Sequence, residues 1–143
     1  MEQRLSLVTL GVADLERAKS FYVSLGWNAA HASTEEVVFF QLPGIALALF
    51  PRDSLAADAN IAPYGEGFSG ITLSHNVRSR EEVDELVTQV EALGGKILRP
   101  AQEASWGGYT AYFADPDGHI WEIAFNPYAV LGDDGSFRIS EDD

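Results

Sequence analysis

Phe113-Ala114-Asp115-Pro116-Asp117-Gly118-His119-Ile120-Trp121-Glu122 is the stretch on which the reading of the fold turns. Two short apolar runs rich in aromatic and β-branched residues, 109–113 and 120–125, flank Asp-Pro-Asp-Gly. Proline presets φ, aspartate bonds its own backbone and glycine accepts positive φ, so these four residues predict a tight turn between two strands. Working back from that hairpin, 96–98 reads as a further short strand, preceded by Gly94-Gly95. Those glycines end a helix whose apolar stripe is Val83, Leu86, Val87, Val90 and Leu93. Ser79-Arg80-Glu81-Glu82 has the Ser-x-x-Glu form of a capping box at its start, and 70–77 is strand-like. The order is βαβββ.

The same order stands nearer the N-terminus. Residues 5–12 alternate as a strand, and Asp14 opens a helix with Leu15, Ala18, Phe21, Tyr22 and Leu25 on one face and Gly26 as its stop. Strands are predicted over 27–31, 37–42 and 45–50, the last two joined by Pro43-Gly44. Between the units, 52–67 is rich in Ala, Asp, Asn, Pro and Gly, lacks a period and reads as a connecting loop. Val12 onto Val77, Gly26 onto Gly94, Phe40 onto Phe113 and Gly44 onto Gly118 give offsets of 65, 68, 73 and 74, a one-way drift of the kind small loop insertions produce.

The opening piece Leu7-Val8-Thr9-Leu10-Gly11-Val12-Ala13-Asp14-Leu15, with Phe21-Tyr22 and Leu25-Gly26-Trp27, and the closing piece quoted above together resemble the signatures of the vicinal oxygen chelate superfamily, the glyoxalase, bleomycin-resistance and extradiol-dioxygenase type. The resemblance spans about residues 5–126. It implies an α+β fold of two βαβββ modules whose mixed sheet curls around a cleft, with helices outside and a homodimer as the assembly. The expected layout is a single domain with module one over 5–51, a linker over 52–67, module two over 68–126 and a solvated tail over 127–143, where Asp133, Asp134, Glu141, Asp142 and Asp143 face only Arg138.

In metal-using members the resemblance implies a divalent ion held by His, Gln or Glu on the first and last strands of each module, acting as a Lewis acid on an oxygen-bearing substrate. Here those positions fall on Leu7, Ala48, Thr72 and Glu122, with Gly70 as the alternative to Thr72. Glu122 alone is a metal-binding type, and one carboxylate cannot complete a four- or six-coordinate site. No metal cofactor is therefore expected.

Strand alternation puts Ile120, Glu122 and Ala124 on the cleft side and Trp121 and Ile123 against a helix. The same parity turns Thr110 and Tyr112 inward, with Leu7, Thr9, Phe39 and Gln41 from module one and Thr72, Ser74 and Asn76 from module two. The candidate ligand-binding residues are Thr9, Phe39, Gln41, Thr72, Asn76, Trp106, Thr110 and Tyr112, a mixture of apolar faces, hydroxyls and amides common in pocket walls. The alternative is that these side chains simply fill one another's space. Trp106-Gly107-Gly108 suits a pocket rim, and a bulged strand entry explains it as well. Glu122 is the candidate catalytic acid or base, in a wall expected to hold no Lys or Arg unless Arg52 or Arg99 reaches in from a strand end and pairs with it. His75 shares parity with Leu73 and Val77 and is expected to face the helix; His119 reads as a surface turn residue and His31 as a loop residue.

Composition narrows the classes further. The chain has 143 residues, 46% hydrophobic and 22% charged, enough for one ordinary core. The absence of cysteine excludes disulfides, thiolate zinc sites and cysteine nucleophiles. A net charge of −13 repels a phosphate backbone, so nucleic acid is not an expected partner, while cationic ligands would be attracted. Met1-Glu2-Gln3-Arg4 leads straight into strand-like sequence, and no apolar run approaches the roughly 20 residues of a membrane span, so a cytoplasmic protein without a membrane partner is expected. No phosphate loop, Gly-x-Ser-x-Gly elbow or His-Glu-x-x-His motif is present. The expected function is binding or sequestration of a small organic ligand. The alternative is lyase, isomerase or dioxygenase-like chemistry, with Glu122 as acid or base or as part of an atypical metal site.

Overall fold

Asp14 and Ser79 begin the two longer helices as their chemistry demands. In the computed structural model, which describes residues 1–3 and 5–142, the Asp14 carboxylate accepts from Arg17 N at 3.0 Å at the head of α1 (Leu15–Ser24). Ser79 Oγ likewise accepts from Glu82 N at 3.2 Å at the head of α3 (Arg80–Ala92), so each cap satisfies a backbone donor the helix cannot. Glu82 reaches back one residue further than a standard capping box, and its carboxylate accepts from Arg78 N at 2.8 Å. Arg4 and Asp143 lie outside the described residues.

The chain divides into two compact units, Met1–Ser69 and Gly70–Asp143. In the first, β1 (Leu7–Val12), β2 (Val38–Leu42) and β3 (Ile45–Pro51) form a sheet ordered β1-β3-β2, with β1 parallel and β2 antiparallel to β3. Its core gathers Val12, Ala18, Phe21, Tyr22, Val38, Phe40, Leu47 and Leu49. Trp27 completes this core, stacking on Tyr22 at 5.5 Å and meeting Phe40 edge-on at 5.4 Å.

The strand expected over 27–31 does not form. Ser33 Oγ accepts from Phe39 N at 3.0 Å, and Ala30 N donates to Phe39 O at 2.7 Å, so a turn satisfies the backbone groups of β2 that another strand would have used. The connecting segment also departs from expectation, because it opens with α2 (Arg52–Asp58), which buries Ala56.

In the second unit, β4 (Leu73–Asn76), β5 (Lys96–Glu103), β6 (Tyr109–Ala114) and β7 (Ile120–Phe125) form a sheet ordered β4-β7-β6-β5. Strand β4 runs parallel to β7, and the other pairs are antiparallel. The 115–118 turn closes as its residues require: Gly118 takes φ +86°, and Asp115, buried, accepts from Asp117 N and His119 N at 2.9 Å each. Phe113 and Trp121, paired across β6 and β7, stack nearly parallel at 6.3 Å, and Val83, Val90, Ala111 and Ile123 are fully buried. Burial of each of the larger of these side chains contributes about 1.5–3 kcal/mol relative to exposure.

The tail is not merely solvated. A hairpin of β8 (Val130–Leu131) and β9 (Phe137–Arg138) forms there, and Arg78 donates to the carbonyls of Leu131 at 3.1 Å and Gly132 at 2.7 Å. Three helices and mixed sheets make the architecture α+β.

Candidate functional site

Pleat register assembles a polar group on one face of the second sheet. Glu122 lies directly opposite Ser74 on one side and Tyr112 on the other. Its two carboxylate oxygens are each engaged: Ser74 Oγ donates to Oε1 and the Tyr112 hydroxyl to Oε2, both at 2.9 Å. The bond to Glu122, then burial, then the carboxylate's charge hold the Tyr112 phenol above its ordinary pKa, while Arg99 pulls the other way. Tyr112 is therefore a stable proton donor towards Glu122.

The wall that strand parity left without a cation holds Arg99, which reaches in from β5 but bonds to Thr110 rather than to Glu122. Its guanidinium lies over the Tyr112 ring at 5.1 Å from the centroid, and Nη2 donates to Thr110 Oγ1 at 2.5 Å. The physical cause is the backbone of β5. Ile97 pairs with Phe113, yet Arg99 pairs with Tyr112 and Gln102 with Thr110, with register irregularities on both sides of Arg99. In a regular strand residues 97 and 99 share a face; the extra residue reverses that and turns Arg99 towards Tyr112. A strand read as 96–98 ends before this happens. The Arg99-Pro100 pair is the sequence signal, since proline inside a strand belongs at an edge or a bulge, and β5 is an edge.

The other candidates distribute unevenly. Thr110 is 4% exposed and joins the cluster through Arg99. Asn76 is half-buried and pairs with Ala124, two residues from Glu122 and on the same face. Thr72 precedes β4 and is exposed. Trp106 is exposed at 48% and folds back over Gly108, whose α-carbon could not carry a Cβ without meeting the indole at 2.0 Å. Thr9 and Phe39 are half-buried and both pair with Ala48 in the first unit. Gln41 is exposed, and its amide donates to the carbonyls of Leu42 at 2.9 Å and Ile45 at 3.4 Å in its own hairpin turn. Ser74, absent from the candidate ligand-binding residues, is a direct partner of Glu122.

The two ladders make the internal repeat explicit. Thr9, Ala48 and Phe39 occupy in the first unit the register positions that Ser74, Glu122 and Tyr112 occupy in the second. The carboxylate and the phenol thus belong to the second module's copy. His75, one residue from Ser74, lies on the opposite face beside α3; burial lowers its pKa and the charge of Glu82 partly opposes this.

The residues at the four positions that the resemblance assigns to metal ligands offer few donors to a divalent ion. Leu7 and Ala48 have no donor side chain and Thr72 offers a neutral hydroxyl, which leaves Glu122 as the one metal-binding type among these four residues. Among the described residues no three His, Asp or Glu side chains stand close enough to hold a metal.

The family model of the Glyoxalase/Bleomycin resistance protein/Dioxygenase superfamily matches residues 4–123. The chain belongs to that superfamily. A glyoxalase-related enzyme from Fulvimarina pelagi superposes with TM-score 0.89 at 41% identity, covering 96% of this chain and 99% of that one. FosX, a genomically encoded fosfomycin resistance protein from Listeria monocytogenes, superposes with TM-score 0.67 at 27% identity, over 88% of this chain and 95% of that one. The metallothiol transferase FosB of Shouchella clausii is 26% identical over 117 residues, 81% of this chain and 75% of the relative. The superfamily fold is thus shared with enzymes and resistance proteins alike. No helix among the described residues is long and apolar enough to cross a membrane.

Proposed function

We propose that this superfamily member binds a small organic ligand without a divalent metal, on the sheet face around Glu122, and sequesters it as a cytoplasmic homodimer. The observation that carries the reading is the satisfied polar cluster itself: Glu122 held by Ser74 and Tyr112, with Arg99 stacked on Tyr112 and bonded to Thr110. Polar side chains that fix one another's positions on a sheet face are what a site needs to orient a ligand. Asn76 adds an amide on the same face. The net charge of −13 speaks against nucleic acid as a partner.

A second reading has its own support. A phenol donating to a carboxylate at 2.9 Å is an acid paired with a base, so Glu122 could take a proton from a bound substrate while Tyr112 supplies one. The Fulvimarina relative, described as an enzyme, favours that reading as well.

A thermal-shift screen of small organic compounds, run with and without added Zn, Ni and Mn, tests both. A ligand at a hundredfold excess over its Kd stabilises the native state by about 2.7 kcal/mol. The binding reading expects metal-independent hits that weaken in Glu122→Gln and emerge chemically unchanged. Hits that are consumed, as followed by proton NMR, establish the enzymatic reading instead. Hits that require metal overturn the metal-free reading.

A further inference from the structure

Arg99 owes its place to an irregular stretch of β5. Two register irregularities bracket it on β5, and they turn one guanidinium from the α3 side to the Glu122 side of the sheet. Bulges bend and weaken a ladder, and they concentrate beside functional sites because they re-aim a side chain. The guanidinium is then fixed three ways: its plane rests over the Tyr112 ring, Nη2 donates to Thr110, and Nη1 donates to the adjacent Pro100 carbonyl at 3.2 Å. In a chain with 22 acidic residues, this half-buried cation has no carboxylate partner among the described residues, whereas exposed Arg80 makes a bidentate pair with Glu103. Guanidinium carries five donors in a planar fork, so Arg99 retains donors to offer, and that fork matches an oxyanion.

We propose that Arg99 is the anion-binding group of this face and that the ligand is a small organic acid carrying a hydroxyl or amine, its oxyanion on Arg99 and its donor on Glu122. This rests on the reading of the Glu122 face as the binding site. Glu122 is suited to the second role because an ionised carboxylate accepts about four hydrogen bonds and only two acceptor positions are taken by Ser74 and Tyr112. Tyr112 touches both charged groups, its ring under Arg99 and its hydroxyl on Glu122, so both stand on the same face beside one side chain. A purely cationic ligand, which the net charge alone would favour, would meet Arg99 as a like charge.

The test is an NMR titration of 15N-labelled protein with lactate, propionate, methylphosphonate and inorganic phosphate, at ionic strength matched with chloride. Lactate is expected to give saturable shifts at Arg99 Nε and the Thr110 amide and to bind more tightly than propionate. A phosphonate or phosphate that outcompetes lactate assigns the oxyanion to the phosphorus class; the reverse assigns it to the carboxylates. Arg99→Gln should weaken all of them about tenfold or more, since charge-assisted bonds are lost, while Arg99→Lys, which keeps the charge and not the fork, should lose less. Glu122→Gln should abolish the advantage of lactate over propionate. Arg80→Gln should change nothing. Equal binding in Arg99→Gln, or no saturable shift with any probe, overturns the assignment of an organic acid. In that case a neutral or cationic hit from the screen that still depends on Glu122 leaves the site standing, whereas hits indifferent to both variants bring down the reading of the face itself.

Discussion

Tyr112 and His75 sit on opposite faces of one sheet, and their surroundings move their protons in ways that can be measured. Tyr112 should titrate above its ordinary value of 10.0, chiefly because its hydroxyl is committed to Glu122. Absorbance at 295 nm, taken as wild type minus Tyr112→Phe, reads it directly, and in Glu122→Gln the transition should move back towards 10.0. An unchanged transition in that variant would mean that the bond to Glu122 is not what holds the proton. His75 is held below 6.5 by burial, against a smaller opposing effect of Glu82. Its folded value being depressed, the unfolded chain takes up the proton first. Stability from this group is therefore intact above pH 6.5 and declines as pH falls below it towards the folded value. Urea midpoints at pH 7.5 and 5.5 should show wild type losing more on acidification than His75→Gln; equal losses would refute the burial argument.

At the scale of elements, β5 pairs irregularly with β6, and the turn that joins them carries Trp106. The Trp106 indole lies where a side chain on Gly108 would have to go, since a Cβ at that position would meet the ring at 2.0 Å. Gly108→Ala should therefore expel the indole, change Trp106 emission while leaving that of Trp27 and Trp121 unaltered, and cost about 1 kcal/mol of stability. Single-tryptophan variants separate the three signals; a Trp106 spectrum untouched by the substitution would show that the ring does not rest on the glycine. The helices are more conventional. Ser79→Ala should lower the urea midpoint by an amount equivalent to about 1 kcal/mol, because one N-terminal donor of α3 loses its acceptor.

For the whole molecule, the donor inventory leads to a prediction about composition. Purified protein is expected to hold well under one equivalent of Zn, Ni, Mn or Fe after mild dialysis, since the positions that the resemblance assigns to metal ligands carry Leu7, Ala48 and Thr72. Elemental analysis decides it, and one tightly held ion per chain, lost on Glu122→Ala, would overturn the donor argument. The proposed homodimer is checked by sedimentation at several concentrations.

The sequence by itself determined the order of elements in the second module, the turn at 115–118, the two helix caps and the face on which Glu122, Tyr112 and Thr110 lie. Each of these follows from local rules: turn chemistry, capping donors and a period of two along regular strands. Only the tertiary structure decided that Ser33 takes the backbone bond of Phe39 in place of a strand, that 52–58 coils into a helix, and that Arg78 fastens the tail as a hairpin. Above all it decided the place of Arg99. Periodicity assigns faces only while the strand stays in register, and one extra residue in β5 reverses every assignment beyond it until a second irregularity restores the count. Where that residue is inserted depends on the pairing of β5 with β6, which is a contact between distant parts of the chain and leaves no period in the sequence.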